Sequence, residues 1–441
     1  MLPNIVYLHS HDSGRYIQPM GHAVPTPNLQ RLAEEGVLFR QAFCAAPTCA
    51  PSRAALLTGQ SAHSSGMLGL AHRGFALNDY AQHLVTTLKG TGYHTVLAGM
   101  QHVAAREDGP QTIGFDEVLD HENLQAKNVS AAAETFLDGK PQTPFFLDVG
   151  YQETHLRFPE MPEENSRYVR TPDPLPDSVQ IRQMTAGYHE SARRMDEGHG
   201  RVLQALERNG LAENTLVICT TDHGLAYPGM KCNLTDHGMG IFLIMRGPGG
   251  FDGGKVCDEM VSHIDLYPTI CDLLQIPQPS WLQGNSLLPL LAGEVDRVNE
   301  QVFAEVNYHA AYEPQRAVRT CRWKYIKRYD DEKTTPVMPN CDESEAKDVW
   351  LDHDWPQREV AQEQFYDLVF DPNETRNLIG ADGEVADDEA TLALQDMKKR
   401  LHTWMVATQD PLLAGPVPAP SGATVNDKNG QSPGQEPVVM P

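Results

Sequence analysis

The chain has 441 residues, of which 40% are hydrophobic and 21% charged, the balance of a globular protein. Its formal net charge of −24 disfavours nonspecific attachment to nucleic acid or to anionic membranes. No apolar run approaches the roughly 18 residues of a membrane span, and the opening MLPNIVYLHSHD lacks the regions of a secretion signal, so a cytoplasmic protein is expected.

In chain order, NIVYLH (4–9) reads as a buried strand that begins at once. TPNLQRLAEEG (26–36) reads as a helix with Thr26 as N-cap, Pro27 in the first turn and Gly36 as the stop. HTVLAG (94–99), PFFLDVGY (144–151), TLVICTTD (215–222) and IFLIMRG (241–247) are short apolar runs, as strands buried on both faces require. A long amphipathic helix over 185–210 separates two of them. The alternation predicts an α/β fold with a mostly parallel central sheet flanked by helices, and ligands bind such sheets beyond the carboxyl ends of the strands.

Beyond residue 289 the pattern changes. The β-forming run 317–329, the segment EQFYDLVFDPNETRNL (363–378) and a helix over 387–409 predict a small antiparallel sheet with a packed helix. The acidic, Trp-containing stretch 330–362 between them is expected to be a surface excursion. From 411 onward, Pro, Gly and Ser predict an extended tail, ordered against a neighbouring subunit if the protein is a homo-oligomer. The expected organisation is 1–300, 301–410 and 411–441. The eight cysteines have no CxxC spacing, so neither a zinc ribbon nor a dense disulfide framework is indicated, and Cys219 and Cys271 fall in apolar runs.

Strand ends carry the candidate chemistry. The first strand leads into His11 and Asp12, and the strand 215–222 into Asp222 and His223. Carboxylates brought together at one sheet edge repel unless a cation lies between them. Read alone, the same residues also serve as turn and helix caps. CAPSRAALLTG (49–59) places Cys49 at a helix start, with Pro51 in the first turn and the permanently charged Arg53 one turn on. That is an anion pocket with a nucleophile, or a structural cysteine beside an ion-paired arginine.

The string C-x-P-S-R followed by a small apolar turn and T-G resembles the signature of the type I sulfatases, members of the alkaline phosphatase superfamily. LAENTLVICTTDHG (211–224), SHIDLYPTICDLL (262–274) and FYDLVFDPNETRNL (365–378) resemble further segments of that family, in the same order. HSSGMLGLAHRG (63–74) and DHGLAYPGMKCNL (222–234) are similar to stretches of its sulfamidases. The resemblance implies a sulfuric ester or sulfamate hydrolase acting on a small sulfated sugar or aryl sulfate. It implies that Cys49 is converted to formylglycine by a formylglycine-generating enzyme. The hydrated aldehyde would attack sulfur with one hydroxyl and release sulfate through the other. It further implies a divalent metal, Ca2+ first with Mg2+ or Mn2+ as alternatives, held by Asp12, Asp222, His223, His11 and the modified Cys49. Arg53 would hold the hydrate, His102 would stand near the nucleophile, His155 would protonate the leaving group and Lys231 would grip the sulfate.

Two positions depart from the family pattern. His11 stands where an aspartate is usual, and imidazole suits calcium poorly. Met100 stands where a lysine is usual, which removes a positive charge unless Arg73 or Arg157 supplies it. The alternatives are a phosphonate monoester or phosphodiester hydrolase of the same superfamily and a non-catalytic anion-binding relative.

Overall fold

The computed structural model describes residues 2–105 and 108–441. Eight strands form the central sheet: β1 (Asn4–Ser10), β2 (Val37–Phe43), β3 (His94–Gly99), β4 (Glu117–Leu119), β5 (Phe145–Gly150), β6 (Thr215–Thr221), β7 (Gly240–Arg246) and β8 (Lys255–Ser262). Their order is β4-β3-β5-β1-β6-β7-β2-β8. β7 runs antiparallel to both neighbours, and the other pairings are parallel. The mostly parallel sheet expected from the apolar runs is therefore present.

Alternation along the strands explains why those runs are continuous. Ile5, Tyr7, Leu216 and Ile218 point into one core, with helix α2 (Cys49–Thr58) and the helix Leu266–Leu274. Val6, Leu8, Val217 and Cys219 point into the other, under α1 (Pro27–Glu35) and the helices Ala126–Asp138 and Val179–Arg208. A strand covered on both faces has no position for a polar residue unless that residue finds a partner.

Several expectations need correction. β2 was not evident as a strand because Arg40 and Gln41 interrupt its apolar run, where the pairing with both neighbours is irregular. The long helix starts at Val179, with the Ser178 hydroxyl accepting from Ile181 N at 3.2 Å, and it ends on Asn209 before Gly210. Thr26 does not cap α1 through its side chain; its hydroxyl accepts from Gln18 N at 2.8 Å. The run 317–329 is two strands, β10 (Tyr312–Arg319) and β11 (Trp323–Arg328), joined by a tight turn. With β9 (Val302–Tyr308) and β12 (Glu363–Asp367) they form an antiparallel sheet of order β12-β11-β10-β9, on which the helix Asp388–Ala407 packs. The stretch 330–362 is not merely superficial, since Met338, Pro339, Asn340 and Lys347 are buried. The tail lies on the chain's own body: Val417, Ala423 and Asn426 are buried, and β13 (Thr424–Val425) pairs with β14 (Val438–Val439). No helix among the described residues is long and apolar enough to cross a membrane.

A buried charge network joins the two sheets. Arg316 Nε on β10 donates to Asp410 Oδ2 at 2.5 Å, and its Nη2 lies 3.3 Å from Glu305 Oε2 on β9. Glu305 Oε1 accepts from His63 N at 3.0 Å and lies 2.9 Å from His63 Nδ1, in the turn that follows α2. The element carrying Cys49 is thus clamped to the C-terminal sheet. Arg316→Met leaves two buried carboxylates without their cation, and the expected loss is about 3–5 kcal/mol of unfolding free energy, read from the urea midpoint. Burial raises the Glu305 carboxyl, but His63 and Arg316 more than offset it and hold it well below 4.5. Its stabilisation is therefore complete above pH 4.5 and is lost as the pH falls below that value.

Candidate active site

β1, β6, β5 and β3 end at one edge, in register: Ser10 pairs with Thr221, His9 with Gly150 and Gly150 with Gly99. The loops that follow carry His11 and Asp12, Asp222 and His223, His155, and His102. Asp12 adopts φ +49°, a left-handed conformation that aspartate tolerates better than most residues. Its backbone N–H donates to Asp222 Oδ1 at 2.8 Å, and the N–H of His223 donates to the same oxygen at 3.0 Å. The two loops are thereby locked together, with both carboxylates buried.

α2 begins at Cys49 beside them. All ten of its residues are buried, which explains the small Ala50, Ala54 and Ala55 of the motif. Pro51 sits in the first turn, where backbone N–H groups have no intrahelical acceptor. The Ser52 hydroxyl donates to Asp222 O at 2.5 Å. Arg53 Nη2 donates to Asp222 Oδ2 at 3.0 Å and to Ser10 O at 2.8 Å. Gly59 ends the helix at φ +67°, and a Cβ there would lie 2.5 Å from Leu282, so the closing T-G is required by both conformation and space.

The remaining expected residues surround this pair. His223 Nε2 lies 3.4 Å from Cys49 Sγ and 3.4 Å from Asp12 Oδ1. Lys231 Nζ donates to Asp12 Oδ2 at 3.2 Å. His102, at φ +58°, brings a ring nitrogen within 4.8 Å of Cys49 Sγ and of His11, and its Nδ1 has no hydrogen-bond partner among the described residues. His155 stands at the rim, its side chain 34% exposed, with Nε2 3.9 Å from Asp12 Oδ2 and Nδ1 2.6 Å from Leu156 O. Burial alone would raise the Cys49 thiol, but Lys231 and His223 reverse this and hold it well below 9.0. Burial would lower His11 and His223, but the carboxylates push them up, to about 10 and about 9. The cluster demands positive charge.

The donor set fits a divalent ion. Ligand atoms of His11, Asp12, Cys49 and Asp222 all lie within 4.8 Å of one another. Asp12 Oδ1 is buried without a hydrogen bond. His11 Nδ1 is 3.1 Å from Asp222 Oδ2, yet the two are not aligned as donor and acceptor. Both atoms are free to face a common centre.

The two departures from the family pattern are neighbours. His11 Nε2 lies 2.6 Å from Met100 Sδ, so the thioether occupies the space beside the imidazole. Of the two candidates to supply the absent lysine's charge, Arg73 Nη1 donates to Asn426 Oδ1 at 2.8 Å in the tail, and Arg157 is exposed. Sequence reasoning missed three residues. His9 accepts at Nδ1 from Arg53 Nη1, and its Nε2 lies 2.8 Å from Asp148 Oδ1. Arginine can only donate, so Nε2 carries the His9 proton and Asp148 accepts it. Both residues sit inside apolar strands, where an ionisable side chain needs a partner, and that signal was available. Asp342, which accepts from Lys231 Nζ at 2.9 Å, comes from the 330–362 stretch and had no local signal.

A family model described as Sulfatase matches residues 3–276, and one described as N-sulphoglucosamine sulphohydrolase, C-terminal, matches residues 230–358. Human N-sulphoglucosamine sulphohydrolase is 29% identical, over 92% of this chain and 89% of its own length. An ulvan-active sulfatase of Formosa agariphila is 26% identical, over 92% of this chain and 81% of its own. The crystal structure of yidJ from Bacteroides fragilis superposes with a TM-score of 0.74 at 21% identity, over 95% of this chain and 98% of that one.

A bound ion stabilises the fold by mass action. Mn2+ at about a hundredfold its Kd is expected to add about 2.7 kcal/mol, seen as a rise in melting temperature. Asp222→Asn is expected to abolish that rise.

Proposed function

The chain belongs to the sulfatase family and is a sulfuric ester hydrolase, and on that premise we propose that it removes sulfate, as ester or sulfamate, from a small sulfated sugar, with residue 49 as nucleophile after conversion to formylglycine. The observation that carries this reading is the meeting of Cys49, at the start of α2, with Asp12, Asp222 and His11 in one buried cluster. Phosphonate and diester hydrolysis share the superfamily fold, but nothing in the site favours them.

An aldehyde hydrate at residue 49 supplies two hydroxyls, one to attack sulfur and one to release sulfate as the aldehyde reforms. A thiol or a single hydroxyl has no such release step. Asp12, Asp222, His11 and His223, with residue 49, would hold the divalent ion, whose contribution is Lewis-acid stabilisation of the nucleophile and the sulfate oxygens. Two imidazoles among the donors favour Mn2+ or Zn2+ over the hard, oxygen-seeking Ca2+. Arg53, fixed by Ser10, Asp222 and His9, keeps a permanent positive charge beneath residue 49. Lys231 is buried with its ammonium toward the cluster and would hold a sulfate oxygen. His102 would take or hold the proton of a hydrate hydroxyl. His155 stands at the rim with its side chain partly exposed, and it would give the leaving atom its proton.

Mass spectrometry of the tryptic peptide QAFCAAPTCAPSR (41–53), from protein coexpressed with a formylglycine-generating enzyme, is expected to find an aldehyde at Cys49 and an intact thiol at Cys44. Two intact thiols, together with no release of sulfate, would overturn the assignment of the nucleophile. His11→Asp replaces a nitrogen donor by oxygen. It is expected to raise the Ca2+ affinity relative to Zn2+ by about tenfold or more, as measured by calorimetric titration of each metal.

A further inference from the structure

We propose that Asp342 selects the leaving group, accepting a hydrogen bond from a nitrogen attached to the scissile sulfur and so favouring a sulfamate over an ester. This rests on the sulfatase reading and deepens it. Asp342 Oδ2 accepts from Lys231 Nζ at 2.9 Å. Its ligand oxygen lies within 4.8 Å of those of Asp12 and of the His155 ring nitrogen, so it borders the side of the site where the leaving atom departs. Among the described residues Oδ1 has only His309 Nε2 at 3.9 Å, beyond hydrogen-bond reach, and the Asp342 side chain is 20% exposed. His309 itself is 6% exposed, and its Nδ1 has no hydrogen-bond partner.

A carboxylate in this position works against an enzyme that needs only to grip sulfate. It competes for Lys231 and repels the substrate's anionic oxygens. An ionised carboxylate can only accept hydrogen bonds, so its use is to meet a donor. An ester oxygen at the scissile bond carries no proton, whereas a sulfamate nitrogen does. As the nucleophile's oxygen bonds to sulfur, the S–N bond breaks and its electron pair goes to nitrogen. Nitrogen takes a proton from protonated His155 Nε2 and leaves as an amine, whose N–H groups face Asp342. A second proton from water makes it an ammonium ion, which the carboxylate also stabilises.

The chain holds Asp342 in place with some force. Asn340 Oδ1 accepts from Ala310 N at 3.0 Å and Ala311 N at 2.8 Å, and its Nδ2 donates to Glu313 Oε2 at 2.9 Å. Lys347 Nζ donates to Cys341 O at 3.0 Å and to Gln431 O of the tail at 3.1 Å. A surface excursion with no role in the site has no need to be pinned on both sides of one carboxylate.

The test compares kcat/KM for glucosamine N-sulfate and for 4-nitrophenyl sulfate in the converted wild-type protein, Asp342→Ala and the isosteric Asp342→Asn. For Asp342→Ala the expected result is a fall of tenfold or more in the ratio of kcat/KM for the N-sulfate to kcat/KM for the aryl sulfate. A parallel fall on both substrates, or an unchanged ratio, overturns the inference while leaving the sulfatase reading intact. Calorimetric titration with glucosamine and with inorganic sulfate gives a readout that needs no turnover. Asp342→Ala and Asp342→Asn are expected to weaken glucosamine and keep sulfate, and retention of glucosamine by both variants overturns the inference. A wild-type protein that hydrolyses neither substrate overturns the proposed function instead.

Discussion

Two carboxylates, Asp12 and Asp222, are buried side by side where the central sheet ends, and the surrounding structure is arranged to make that tolerable. Desolvating one unpaired carboxylate costs several kcal/mol, and two together add repulsion. The compensation comes from many directions: the N–H groups of Asp12 and His223, Arg53 from α2, and Lys231 from the loop beyond β6. These groups do more than stabilise the fold. Lys231 and His223, which help to hold Asp12 ionised, also lower the thiol of Cys49.

The same constraint accounts for the composition of the helix motif. Small residues let α2 approach the sheet, Ser52 ties it to the carbonyl of Asp222, and Arg53 reaches under the edge to Ser10 and His9. Behind Arg53 the chain continues through His9 to Asp148, an acid three strand residues deep in the sheet whose carboxyl burial pushes up. His11, whose imidazole the carboxylates push up, stands against the neutral thioether of Met100 at the same edge.

The C-terminal sheet contributes to the site without touching the nucleophile. Glu305, Arg316 and Asp410 clamp it to His63, just beyond α2. From that base the strands carry the 309–313 loop and the 330–362 stretch, and the tail adds a brace through Gln431 and Asn426. One wall of the site is therefore built from segments that are distant in sequence, while the Asp12–Asp222 cluster is built from strand ends and one helix start.

The legibility of each part follows from this difference. β1, β3, β5, β6 and β7 could be read because burial on both faces leaves mostly apolar residues, and the helix start at Cys49 because its string satisfies helix geometry, close packing and chemistry at once. β2 could not, since Arg40 and Gln41 sit at an irregularity whose reason is the pairing itself. The tail and the acidic stretch were misjudged because their composition is that of solvated chain, and their burial depends on partners hundreds of residues away, such as Asn426 with Arg73. By itself the sequence determined the α/β core, the strand-end acids and the helix that presents Cys49, since these depend on local periodicity and on residues adjacent in the chain. Only the tertiary structure decided that His11 meets Met100, that His9 and Asp148 stand behind Arg53, and that Asp342 faces Lys231, because side-chain contacts across loops depend on packing that no local pattern encodes.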